Sequence, residues 1–114
     1  MAVQKYKVLV KVKEVKGQCD SGFKEGMQFV VAGPAVLLAE SHRVCATALM
    51  GLYPFIKALQ YGAKPKEMGF TDGKVVLQCP DPGPQVTGSP TTGCVVFELT
   101  QVDPLEKLTV DKNS

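Results

Sequence analysis

The chain has 114 residues, 45% hydrophobic and 21% charged, with a net charge of +2. A chain of this size buries roughly 65% of its unfolded surface, enough for one core and not for two, and the charge is too small to argue for nucleic acid. No apolar run reaches the ~18 residues of a membrane span, and the opening Met1–Lys7 segment lacks the apolar core of a signal peptide. The expectation is a cytoplasmic protein with neither a nucleic-acid nor a membrane partner.

Along the chain, Tyr6, Val8, Val10 and Val12 alternate with Lys5, Lys7, Lys11 and Lys13, the two-residue period of a strand with one apolar and one basic face. Five lysines against Glu14 give residues 1–16 a balance of +4 and leave −2 for the remainder. The basic face reads either as a solvated face whose lysines discourage edge pairing or as a binding face for an anionic ligand. Lys16 to Gly22 carries turn chemistry, and Lys24-Glu25-Gly26 makes a tight corner. Met27–Val31 is a second strand, ended by Gly33-Pro34. Ala35–Glu40 is an apolar run of undetermined type, and Ser41 is placed to cap a helix. Cys45, Ala48, Leu49, Leu52, Ile56 and Leu59 recur at three and four residues, a helical stripe. Pro54 removes a backbone donor and crowds the carbonyl four residues back, so a kink is expected, or a short turn and then a new helix from Pro54. Gly62 is placed as the C-terminal cap. After the Asp72-Gly73 turn, Lys74–Gln78 is a third strand, ending at Cys79-Pro80. A Pro/Gly-rich loop over residues 80–93 leads to a fourth strand, Cys94–Leu99, antiparallel to the third. From Asp103-Pro104 onward the chain is polar and expected to fray. The fold class is therefore α+β. One small domain over residues 1–101 holds an antiparallel sheet of two hairpins around one central helical segment, in β-β-α-β-β order. The helix covers one sheet face, and 102–114 form a polar tail.

Four cysteines, Cys19, Cys45, Cys79 and Cys94, follow one another at intervals of 26, 34 and 15 residues. With no export signal and a reducing cytosol, thiols, metal ligands or redox groups are favoured over disulfides. No C-x2-C knuckle is present, so spacing by itself makes no zinc site. Cys19 falls in a turn, Cys45 at a helix start and Cys79 at a strand end, positions where functional residues gather. A helix N-terminus stabilises a thiolate through its dipole and open N–H groups, which makes Cys45 the candidate reactive thiol. His42, the single histidine, stands three residues before it and offers a Cys–His pair if that turn is helical. Met50 offers a soft thioether. No paired carboxylates, phosphate-binding glycine loop or serine-hydrolase elbow is present.

Three segments together resemble an uncharacterised family of small proteins common in anaerobic bacteria and archaea. Gly17-Gln18-Cys19-Asp20-Ser21-Gly22-Phe23-Lys24-Glu25-Gly26-Met27-Gln28-Phe29 is similar to that family's G-x-C-x-x-G-H-K-x-G-D-x-F. The stretch from Cys45-Ala46-Thr47-Ala48 through Leu52-Tyr53-Pro54-Phe55-Ile56 to Tyr61-Gly62 resembles C-P-A-x-x-H-x-L-Y-P-x-I-x-A-L-x-Y-G. Cys79-Pro80-Asp81-Pro82, followed after the loop by Val95-Val96-Phe97-Glu98-Leu99, is similar to C-P-D-P…V-x-F-E-L. Cys19, Cys45 and Cys79 match the pattern. Cys94 lies on an apparent insertion, and Phe23, Ala46 and Met50 replace the family's His, Pro and helical His. The resemblance implies no activity.

Three functions follow as expectations. The first is a cysteine-dependent binding module, with Cys19, Cys45 and Cys79 lining one site for zinc, iron or another soft ligand. The second is a thiol-redox enzyme or accessory with Cys45 as nucleophile. The third is a homo-oligomeric structural or assembly protein that associates through exposed sheet edges and the Ala35–Ala39 run.

Overall fold

The computed structural model describes residues 5–17, 19, 22–79 and 93–110, with Gly93 and Cys94 given by backbone alone. The elements in chain order are β1 (Lys7–Gly17), β2 (Gln28–Ala32), β3 (Ala35–Val36), a 3-10 turn (Leu38–Glu40), α1 (Ala46–Gln60), a second 3-10 turn (Pro65–Met68), β4 (Val75–Gln78) and β5 (Gly93–Val102). The strands make one antiparallel sheet in the order β3-β2-β1-β5-β4. The α+β class therefore holds, as does the pairing of the third and fourth predicted strands. The predicted β-β-α-β-β order is corrected by the two-residue strand β3, which adds a rung beside β2 through Val31–Val36 and Ala32–Ala35. The predicted 80–93 loop lies outside the described residues up to residue 92.

Apolar alternation places the core. Val8, Val10 and Val12 of β1 face Val31 and Phe29 on one side, and Leu99 and Phe97 on the other. All are buried on the face covered by α1, together with Ala48, Leu52, Ile56 and Leu59. A bulge between Val12 and Glu14 then resets the parity of β1. With Lys13 as the extra residue, Val15 comes to stand opposite buried Val95 and joins the same core. A bulge of this kind adds local twist and re-aims the side chains that follow it.

Helix α1 runs unbroken through Pro54. The carbonyl that Pro54 leaves without its usual donor belongs to Met50, and both residues lie on the exposed side, Met50 at 79%. Water can satisfy that carbonyl, so the expected kink is not required. At the far end Gly62 has φ +96°. Gly62 N–H donates to Leu59 O at 3.1 Å and Ala63 N–H to Ala58 O at 3.0 Å, the paired bonds of a Schellman cap. Gln101 of β5 donates to the Leu59 and Ala63 carbonyls at 2.9 and 2.8 Å, which closes the helix end onto the sheet.

The other sheet face departs from a plain basic surface. Lys7 is 2% exposed and its Nζ lies 2.7 Å from Glu40 Oε1, so this lysine is a buried ion-pair partner and not a solvated one. Leu108 N–H donates to the same carboxylate oxygen at 3.1 Å. The chain beyond β5, read from sequence as a fraying tail, is thus tied at Leu108 to the Leu38–Glu40 turn. Ser41 does not cap α1. It is 2% exposed, accepts the Val30 N–H at 3.0 Å and donates to Leu37 O at 2.7 Å. Its hydroxyl continues the β2 edge ladder where β3 stops. Ser41→Ala would leave the buried Val30 N–H without its acceptor, an expected loss of about 1–3 kcal/mol. Urea unfolding should show that loss, and hydrogen exchange should show faster exchange at Val30 than in the parent protein.

Candidate functional site

The strand register places all three described cysteines toward one end of the domain. Helix α1 ends beside the start of β1, where Lys5 and Tyr6 N–H donate to Gln60 O at 2.7 and 3.0 Å. Its start lies about 22 Å away, at 1.5 Å per residue, and the Arg43 side chain just before it meets Gly22, beyond the end of β1. Cys45 is the N-cap of α1, in extended backbone with φ −106° and ψ 119° and no side-chain cap hydrogen bond. Cys19 stands two residues beyond β1, whose Gly17 pairs with Gly93 at the start of β5. Cys79 leaves β4 at that same end, its N–H donating to Val95 O at 2.8 Å, and Val95 pairs with Val15.

The turn after Cys19 leans on the segment before α1. Gly22 N–H donates to Cys19 O at 3.0 Å. A Cβ built on Gly22, whose φ is +75°, would run into the guanidinium of Arg43. Only glycine lets Arg43 approach so closely in that backbone conformation. Cys19, Cys45 and Cys79 are half-buried thiols that pack against the main core cluster.

Nearness to one end of the sheet is less than convergence on one point. Among the described residues no group of three or more His, Cys, Asp and Glu side chains could hold a metal ion. The three thiols as placed do not fit a zinc or iron centre, whose thiolate ligands stand at about 2.3 Å from a shared ion. Cys94 has no described side chain. His42 is engaged elsewhere, since its ring Nδ1 accepts the Gln28 N–H at 3.1 Å while its backbone N–H donates to Gln28 O at 2.8 Å. The histidine serves as an extra rung on β2, and residues 42–44 precede the first helical turn instead of forming it. A Cys–His pair built on a helical turn is therefore not formed here.

The two positions where the resembling family carries histidine are filled for other reasons. Phe23 is 4% exposed and packs against Phe29 and Phe97 with centroids 6.3 and 5.6 Å apart. Met50 points to solvent from α1. Neither can complete a ligand set with the cysteines. Comparison with protein-family models, with curated proteins and with solved structures gives no match. No helix among the described residues is long and apolar enough to cross a membrane.

Sequence reasoning missed Lys7, Glu40 and the polar cluster around Gln28. Strand parity puts Lys7 and Lys11 on one face. The partners of that face, Glu40 and His42, come from a segment whose conformation no periodicity fixes.

Proposed function

We propose that the protein is a small thiol-bearing binding module that captures a soft ligand at the end of the sheet where Cys19, Cys45 and Cys79 stand. The observation that carries the reading is the shared location of three half-buried thiols, one of them the N-cap of a 15-residue helix with no acidic residue in its first turn. The open N–H groups of that turn favour a negatively charged atom beside Cys45. The family resemblance supports the same three residues, since its three cysteine positions are the ones brought to this end. Ligation by zinc or iron would require the Cys19 turn and the Cys79 strand end to close on Cys45, and both are chain segments at element ends.

The test is competition between a thiophilic ion and alkylation. The reduced protein is treated with iodoacetamide, with and without one equivalent of Zn²⁺, and the modified cysteines are mapped by mass spectrometry. The expected result is that Cys45 alkylates first and that Zn²⁺ slows Cys19, Cys45 and Cys79 together. Independent alkylation of each thiol, unaffected by Zn²⁺, would remove the shared-ligand reading. Fast alkylation of Cys45 without Zn²⁺ protection would favour a thiol-redox role for that residue.

A second reading, homo-oligomeric assembly, is favoured by the outer face of α1. That helix has one charged residue, Lys57. It exposes Met50 at 79% and Tyr53 at 38%, with Tyr61 at 45% just beyond its end. A surface helix ordinarily turns a charged face to water. Light scattering at micromolar concentration, with Met50→Lys as the disrupting variant, separates this reading from a monomeric module.

A further inference from the structure

A cleft of about 540 Å³ opens beside the Lys11 face of β1, and none of the thiols lines it. Its walls include Lys11 of β1, Lys24 and Glu25 of the corner before β2, Gln28, His42 and Thr109. The volume falls in the range of small-molecule sites, about 300–1,000 Å³.

Three features of the lining converge on one ligand chemistry. Neither Lys11 nor Lys24 belongs to an ion pair among the described residues, whose pairs are Lys7–Glu40 and Lys74–Glu98. Glu25 offsets one of the two positive charges, so the lining carries a net charge of +1 with His42 neutral. His42 is held by the backbone, because its Nδ1 accepts the Gln28 N–H at 3.1 Å. A neutral imidazole whose Nδ1 is an acceptor carries its proton on Nε2. That Nε2–H has no partner among the described residues and is a donor of fixed orientation. Gln28, which orients the ring, is itself held by its Nε2 donating to Glu40 O at 3.1 Å.

We propose that this cleft is a binding site for a small molecule carrying an oxyanion group, a phosphate or carboxylate, which accepts from His42 Nε2–H and is balanced by the ammonium groups of Lys11 and Lys24. A charge-assisted bond from an oriented donor is stronger and more directional than a bare surface cation supplies. The site is independent of the thiols, so it stands or falls separately from the function proposed above.

Inorganic phosphate serves as the probe, added to ¹⁵N-labelled protein at constant ionic strength. The expected result is a saturable shift of the His42 Nε2 resonance and of the backbone amides from Lys24 to Gln28, with half-saturation of about a millimolar for so small a ligand. The Lys11→Gln/Lys24→Gln variant changes two exposed side chains, and its unfolding midpoint should match the parent. Its phosphate binding should be weaker by about tenfold or more. The proposal is overturned if phosphate gives no saturable shift, if chloride at the same ionic strength reproduces it, or if the double variant binds as well as the parent.

Discussion

Glu40→Ala is expected to destabilise the fold by about 3 kcal/mol, because it strands a buried ammonium without its counter-charge. Lys7 is 2% exposed and its partner side chain 14%. The two substitutions that break the pair are therefore unequal. Lys7→Met replaces a buried cation with an apolar chain of similar length. It leaves Glu40 partly in water and still accepting the Leu108 N–H, so its cost should be the smaller, about 1 kcal/mol. The double variant should lie closer to Lys7→Met than to the sum of the two losses, since each single change removes the same contact. Additive losses in urea unfolding would show that the pair does not hold the turn to the sheet.

The same carboxylate gives the fold a defined acid sensitivity. Burial pushes the Glu40 carboxyl up, but the Lys7 hydrogen bond, the Leu108 N–H and the positive charges of Lys7 and Lys107 together hold it below its ordinary value of 4.5. The unfolded chain then binds the proton more readily than the folded one. The contribution to stability is fully present above about 4.5 and is lost as pH falls through the lower folded value. Lys7→Met removes the main opposing partner, so the stability of that variant should fall less steeply with acid.

The parts of the fold that local pattern encodes were legible in the sequence. Val8, Val10 and Val12 announce β1, the stripe from Ala48 to Leu59 announces α1, and Gly62 marks its end because the chain there adopts positive φ. What the pattern could not carry is contact between distant segments. The central pairing of β1 with β5 joins residues about eighty or more positions apart, and no periodicity records it. Lys7 looks like its exposed neighbours Lys11 and Lys13 because its partner Glu40 lies 33 residues away. Ser41 carries the composition of a helix cap, yet its hydroxyl is taken by Val30. Pro54 looks like a breaker because exposure, which decides whether water can satisfy the freed carbonyl, is a tertiary property. At the candidate site the placement of Cys45 at a helix start was legible from the stripe. The arrival of Cys19 and Cys79 at the same end depends on the β1–β5–β4 register and was not.

Phe97→Ala is expected to cost about 3–5 kcal/mol, and the loss should reach the thiol end of the molecule. Phe97 is fully buried on β5, opposite Val12 and Leu77. Its ring meets Phe23 edge-on at 5.6 Å and 86°, and Phe29 at 6.2 Å and 72°. Phe23 is the anchor of the turn that carries Cys19, and it comes one residue after the Gly22 that admits Arg43. Truncating Phe97 removes both the apolar burial and the edge-to-face contact that seats Phe23, the latter worth about 0.5–1.5 kcal/mol. The turn should loosen before the sheet does. Leu99→Ala supplies the comparison: Leu99 lies on the same strand and face, 4% exposed, but pairs with Val10 and Val75, farther from Cys19. Under native conditions Cys19 should alkylate faster in Phe97→Ala than in Leu99→Ala, even where the two variants unfold at similar urea concentrations. Equal rates in the two would mean that Cys19 exposure follows global stability alone. In that case the aromatic trio is general core, and the thiol end has no packing device of its own.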